Sequence, residues 1–343
     1  IDEKGDFVAH VKAAYKRGGV MSFMWLTPNP LNGQDSYNKT GNPCVELQAG
    51  GKANAQWLSY LDTISDFLED IYPIPVVFRL FHEMTGWWYW WGTHTCATED
   101  FIDAWQYTVD YLKETKGNDN LLMFYATSRI ASDFTKYEQA NVTAAMTDNY
   151  PGDDYVDAIG FDCYDNLTYY PESLNATCEE IFSFAETRGK IPIIGETGHT
   201  LGMSCENCGE WFTEFESVMS SPASKCSKAA YAITWENYNP GNFYIPLENQ
   251  QQYEGAMKLF ESGKARLQHD LTWHSTAVGT GYFTNDTTTD FIAGPVATSG
   301  KSTSGKATSP DADSSSDADS SSDSDSSSSK SKSSTTGKST SGK

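Results

Sequence analysis

Apolar positions along the chain fall into two alternating patterns. Short, nearly continuous apolar runs at 20–25, 76–81, 121–127, 156–162, 192–195 and 231–235 predict strands. At 7–17, 55–71, 98–115, 178–188, 211–220 and 251–262, apolar residues recur at helical spacing. Apolar strands alternating with amphipathic helices predict a parallel sheet covered on both faces. Trp25, Glu83, Tyr164, Glu196 and Trp235 fall at the strand C-termini, where a (β/α)8 barrel keeps its active site. A doubly wound open sheet uses the same edge, but no Gly-rich phosphate loop follows any strand. A closed barrel needs eight strands and six are visible. The expected fold is therefore an α/β (β/α)8 TIM barrel lacking its first two strands. Residues 294–343 are Ser, Asp, Lys, Gly and Thr with almost nothing to bury. The chain thus divides into a catalytic domain, 1–293, and a disordered Ser/Asp/Lys-rich tail, 294–343.

The run from Arg79 to Gly92 changes this picture from fold to chemistry. It sets a carboxyl group, Glu83, beside an imidazole, His82, and then places Trp87, Trp88, Tyr89, Trp90 and Trp91 in succession. Indole faces stack on the apolar faces of pyranose rings, and a carboxylic acid can protonate a glycosidic oxygen. The pattern predicts a sugar-binding cleft with an acid in it. Glycosidases of this kind use two carboxyl groups flanking the scissile bond. The second candidate is Glu196, between Gly195 and Thr197-Gly198. With two strands missing ahead of them, Glu83 and Glu196 belong to strands four and seven. Strands three apart lie nearly opposite across the barrel mouth, so the two carboxylates can come within about 5–5.5 Å, the spacing of a retaining mechanism. Arg79 would hold a carboxylate ionised. His82 can hydrogen-bond a neighbouring carboxylate, and Tyr164 can give its hydroxyl to the nucleophile. Trp235 is placed to floor the subsite where the bond breaks. Asp133, Asp157 and Asp162 are further acids, of which Asp157 is expected to cap or pair at a strand start.

Charge and cysteine usage set the surroundings. The net charge is −22. The tail from Pro295 holds six Asp and six Lys, so the rest of the chain carries all of it. Such a surface repels nucleic acid and anionic lipid and suits a neutral substrate. No run of about 18 apolar residues exists, so no membrane span is expected. Seven cysteines and five Asn-x-Ser/Thr sequons, at Asn38, Asn141, Asn166, Asn175 and Asn285, point to a secreted glycoprotein, extracellular or in a cell wall. Cys205-x-x-Cys208 lacks the second pair that a zinc site needs, so a disulfide or tight turn is expected. The chain opens on Ile1 with no leader pattern, as in a processed or partial chain.

These residues resemble glycoside hydrolase family 26, whose best-known members are β-mannanases. The acid/base signature there runs Arg-Pro-x-His-Glu-x-x-Gly-x-Trp-Phe-Trp-Trp-Gly. In that frame this chain has Arg79, His82, Glu83, Gly86, Trp88, Tyr89, Trp90, Trp91 and Gly92. The segment from Tyr150 to Gly160, with Asp162 and Tyr164, and the Gly-Glu-Thr-Gly turn at Glu196 also match. So does the upstream run of Gly18-Gly19, Trp25 and Asn29-Pro30. The resemblance implies an endo-acting, retaining β-1,4-mannanase with Glu83 as acid/base and Glu196 as nucleophile. It implies that His82 and Tyr164 orient the nucleophile and that Trp25, Trp88 and Trp235 bind sugar. It implies a mannan or galactomannan substrate, no metal and no cofactor, and a monomer is expected. Three positions depart from the pattern: Leu26 replaces a sugar-binding His, Leu80 replaces Pro, and Glu236 follows Trp235 where some members have a basic residue. A β-1,3-xylanase, a mixed-linkage β-glucanase and a non-catalytic carbohydrate-binding wall protein therefore stay open.

Overall fold

The six apolar runs form one curled, fully parallel sheet in sequence order in a computed structural model, which describes residues 3–129, 142–205, 207–239 and 241–265. The strands are β1 (Met21–Met24), β2 (Val76–Arg79), β3 (Leu121–Ser128), β4 (Ala158–Asp165), β5 (Ile191–His199) and β6 (Ala232–Thr234). Helices α1 (Glu3–Lys16), α3 (Asn54–Asp70), α4 (Thr98–Asp110), α6 (Tyr170–Thr187), α7 (Glu210–Met219) and α8 (Tyr253–Glu261) correspond to the six periodic segments. Two short helices, α2 (Pro43–Glu46) and α5 (Val142–Asp148), are additional. The observed fold is thus the α/β, parallel, strand-then-helix arrangement of a partial (β/α)8 barrel, six strands among the described residues. The tail 294–343 and Asp133, Asn141 and Asn285 lie outside those residues.

Burial accounts for the run-like strand pattern. All four residues of β2 are buried, as are seven of eight in β3. A strand covered on both faces has no polar side to alternate with. Leu80, Phe81, Trp57, Trp90, Trp91 and Trp105 pack in the main core. On the inner side of the sheet, Val77, Phe124, Ala126, Ala158 and Ile193 form a second cluster that Tyr231 joins. The curl brings the two outer strands near each other: the Tyr231 hydroxyl, just ahead of β6, hydrogen-bonds Ser22 Oγ on β1 at 3.0 Å.

Several boundaries differ from the sequence expectation, and three of them have an identifiable cause. The helix expected at 98–115 turns into a π-helical turn over Tyr111–Thr115, where Tyr111 and Lys116 both reach Asp62, at 2.7 Å each. Helix α6 begins eight residues earlier than expected, with Pro171 in the first turn, where no backbone N–H is needed. Strand β5 runs on to His199, because Glu196, Thr197, Gly198 and His199 keep pairing with Asp162, Cys163, Tyr164 and Asp165. Glu196 therefore lies within a strand and not at its tip, while Glu83 lies four residues past the end of β2.

Disulfides join Cys44 to Cys96, Cys178 to Cys226 and Cys205 to Cys208, which makes the C-x-x-C pair a disulfide. Cys163 is a buried free thiol. Of the described sequon residues, Asn166 and Asn175 are exposed and Asn38 is half-buried. No helix among the described residues is long and apolar enough to cross a membrane.

Candidate active site

The site grows from a register shift between β4 and β5. Pairing slips between Phe161 and Asp162, so that Phe161 opposes Ile194 and Asp162 opposes Glu196. Gly195 is the extra residue. A β-carbon there would stand 2.6 Å from both Arg79 Nη1 and Asp162 Oδ1, so the missing side chain makes room for an ion pair.

Arg79, the last residue of β2, is 4% exposed. Its Nη1 donates to Asp162 Oδ1 and its Nη2 to Glu196 Oε1. The guanidinium fork thus ties β2 to β4 and β5 across the sheet. Burial pulls the Arg79 pKa down, but the charges of Asp162 and Glu196 outweigh it and raise it. The second oxygen of Glu196 accepts a hydrogen bond of 2.8 Å from the Tyr164 hydroxyl. Both Glu196 oxygens therefore face donors. Tyr164 is itself braced edge-on by Tyr244, with ring centroids 5.8 Å apart.

Glu83 has a contrasting environment. After β2 the backbone enters the left-handed region at Phe81 (φ 49°) and again at Glu83 (φ 50°). Non-glycine residues seldom adopt this conformation, and it is held only where the surroundings over-determine it. Here Phe81 stacks on Trp57 and Trp91, and Trp91 Nε1 donates to the His82 carbonyl at 2.8 Å. The Thr85 and Ser128 hydroxyls meet at 2.8 Å and tie the turn to β3. Gly86 lets Trp88 fold back over this turn, since a β-carbon there would lie 2.4 Å from Trp88 Cζ2. Trp88 Nε1 then donates to Glu83 Oε2 at 3.0 Å. Burial, and then the charge of Glu196, push the Glu83 carboxyl up to about 8, against the opposing pull of Arg79 and the Trp88 N–H.

His82 is buried against the rings of Tyr89 and Trp91, at 4.9 and 5.8 Å, and offers an atom within 4.8 Å of both Glu83 and Asp162. Burial, reinforced by Arg79, lowers its pKa well below the ordinary value and keeps it neutral. Its Nδ1 has no hydrogen-bond partner, so the bond to a carboxylate expected of His82 is not made from that atom.

The other aromatic candidates lie apart from this cluster. Trp25 stacks on Trp57 at 5.4 Å and meets Tyr60 edge-on. Trp235 follows β6, and its Nε1 donates to the Tyr238 hydroxyl. Trp90 and Trp91 are fully buried. Asp157 pairs as expected, accepting from the Met123 N–H at 2.7 Å and from Lys113 at 3.1 Å. The geometry gives Asp162 a role and adds one residue, Tyr244. Asp162 shares Arg79 with Glu196, which no sequence spacing reveals. Tyr244, far along the chain, braces Tyr164.

A buried arginine joined to two carboxylates, with a third carboxyl group raised beside an indole, is an arrangement suited to acid–base work. The family model described as "Glycosyl hydrolase family 26" matches residues 2–237. The chain belongs to that family. It is 28% identical over 250 residues to a mannan endo-1,4-beta-mannosidase of Bifidobacterium adolescentis, an alignment covering 68% of this chain and 24% of that protein. A mannan endo-1,4-beta-mannosidase of Bacillus subtilis strain 168 is 32% identical over 47% of this chain and 43% of its own length. Among solved structures, the modular endo-beta-1,4-mannanase of Cellulomonas fimi superposes with a TM-score of 0.70 at 25% identity, over 78% of this chain and 60% of that one. The catalytic domain of a Bacillus sp. JAMB-750 endo-beta-1,4-mannanase gives the same score and identity, over 78% and 72%. The chain spans less than half the length of these two curated relatives.

Proposed function

We propose that this family 26 chain hydrolyses β-1,4-mannan at internal linkages with retention of configuration. The observation that carries the reading is the opposite treatment of two carboxyl groups. Glu196 faces a permanent cation and a hydroxyl donor, whereas Glu83 sits half-buried against Trp88 and is raised. The carboxyl raised by burial is assigned as proton donor, and the carboxylate held by a cation and a hydroxyl as nucleophile.

In the first step Glu196 attacks the anomeric carbon while the bond from that carbon to the leaving sugar's oxygen breaks. Glu83 gives its proton to that oxygen. In the second step Glu83, now ionised, takes a proton from water, and the hydroxide formed displaces Glu196 from the sugar. Arg79 and Tyr164 hold Glu196 in place, and Asp162 holds the other branch of the Arg79 fork. Trp88 orients Glu83 through its N–H and offers its ring to sugar. Trp25 and Trp235 line the cleft on its outer strands. The three disulfides suit an oxidising compartment, and we propose that the chain works outside the cell.

The test is hydrolysis of galactomannan, β-1,3-xylan and mixed-linkage glucan by the protein and by Glu196→Ala, followed by reducing ends. Release from galactomannan alone, abolished by Glu196→Ala, is expected. Release only from xylan or glucan would overturn the mannan assignment. Binding without any release would favour a carbohydrate-binding protein.

A further inference from the structure

Trp87 is the one exposed tryptophan among the nine in the described residues, at 43% exposure. The family signature leaves its position open, so neither the acid/base pair nor the signature residues account for it. The residue is held, not dangling. Lys39 Nζ hydrogen-bonds the Trp87 carbonyl at 2.8 Å and sits 4.9 Å from the centre of the indole. Together with Gly41, His94 and Thr95, these two residues line a cavity of about 370 Å³. That volume falls within the range of about 300–1,000 Å³ typical of small-molecule sites.

The cavity walls are built from two loops that the fold locks together. One follows β1 and the other follows β2. Cys44–Cys96 joins them, Trp90 donates from its backbone to Ser36 at 3.0 Å and from its indole to Thr27 at 3.0 Å, and Tyr37 packs on Tyr89 at 5.2 Å. An aromatic face fixed in advance loses little freedom on binding.

Its place relative to the chemistry gives the occupant. Trp88 bonds Glu83, the group that addresses the leaving oxygen, while Arg79 and Tyr164 hold Glu196 from β2 and β4. Trp87 meets Trp88 edge-on at 6.2 Å, and so continues the aromatic surface outward on the Glu83 side. We propose that Trp87, Lys39 and His94 form an additional sugar subsite on the leaving-group side. A neutral hexose of the departing chain stacks on Trp87, and its hydroxyls bond to Lys39 and His94. This inference rests on the proposed glycan hydrolysis.

The experiment compares kcat/KM of the protein and of Trp87→Ala on mannotetraose, mannopentaose, mannohexaose and an aryl β-mannobioside, whose leaving group is too short to reach beyond Trp88. The expected loss grows with chain length, to about tenfold on mannohexaose, the factor that corresponds to ~1.4 kcal/mol of stacking. Lys39→Met should give part of the same loss. Equal loss on every substrate would overturn the subsite, because Trp87 would then act only through Trp88 and Glu83. No loss on mannohexaose would overturn it too. If the unaltered protein hydrolyses none of these, the proposed function fails on its own, and calorimetric titration with mannohexaose reads the subsite. Binding weakened about tenfold by Trp87→Ala would support it, and equal or absent binding would overturn it.

Discussion

Every residue of β2 is buried, whereas β6 has none that is fully buried and β1 has only Met21. The contrast runs through the site. The central strands carry Arg79, Asp162, Tyr164 and Glu196, joined by direct hydrogen bonds. The outer strands lead into Trp25 and Trp235, whose partners are other aromatic residues, Trp57, Tyr60 and Tyr238. Reacting groups must hold their geometry to a fraction of an ångström, and paired, doubly covered strands supply that. On the proposed function a sugar ring needs only an aromatic platform, and the more exposed outer strands lead into one.

The sharpest break in the comparison is to remove a central carboxylate. Glu196→Ala should lower kcat on galactomannan by ~10⁴-fold or more, because no covalent intermediate can form. Glu83→Gln should lower it by roughly 10²–10⁴, the usual worth of a general acid. With an activated aryl leaving group, which departs without a proton, the Glu83→Gln loss should shrink and the Glu196→Ala loss should not. Equal losses on both substrates would reverse the assignment of acid and nucleophile.

Arg79 tests the centre through stability. Arg79→Met leaves Asp162 and Glu196 buried beside each other with no cation, at a cost of about 3–5 kcal/mol by urea denaturation. Arg79→Lys keeps the charge but loses the fork, and cannot reach both carboxylates. Its loss should be smaller in stability yet still large in kcat. An Arg79→Met protein as stable as the original would mean that the central cluster is not what locks β2 to β4 and β5.

The raised Glu83 separates the two regions by pH. A general acid works while protonated, so kcat should hold through neutrality and fall about tenfold per unit above about 8. The same proton bears on folding. Between the ordinary carboxylate range and about 8, folded Glu83 keeps a proton that the unfolded chain has released. Stability should therefore decline as pH rises across that window, and Glu83→Gln should flatten the decline. A thermal midpoint with the same pH slope in both proteins would contradict this.

How much of this is legible in the sequence follows the same division. The parallel order of strands shows in their apolar runs, since double coverage erases alternation. Glu83 and Glu196 stand out because each follows such a run and is flanked by indoles or glycines. Asp162 does not stand out, being one of several acids until the β4–β5 register shift sets it opposite Glu196. The far end of β5 is hidden because Thr197, Gly198 and His199 stay in the strand through backbone pairing, which needs no apolar side chain. The indole run is half legible. Its density points to a cleft, and the sequence already divides Trp88 as a sugar contact from Trp90 and Trp91 as packing, but only the fold shows Trp87 exposed beside them.

Substitutions on the outer strands should give the smallest effects, and they sharpen the comparison through the parameter they change. Trp235 stands half-buried after β6 with Tyr238 as its hydrogen-bond partner, and no direct bond joins it to Arg79, Glu83 or Glu196. If it serves only to seat a sugar, Trp235→Ala removes binding that is equal in the ground and transition states. KM for mannan should then rise by about three- to tenfold, the loss of ~1 kcal/mol of stacking, with kcat nearly unchanged. Trp235→Phe keeps an aromatic face and should recover most of the loss, whereas Tyr238→Phe tests whether the hydroxyl fixes the indole angle. A fall in kcat as large as that of Glu83→Gln would place Trp235 with the central strands, and the division between fixed chemistry and softer recognition would not hold at β6.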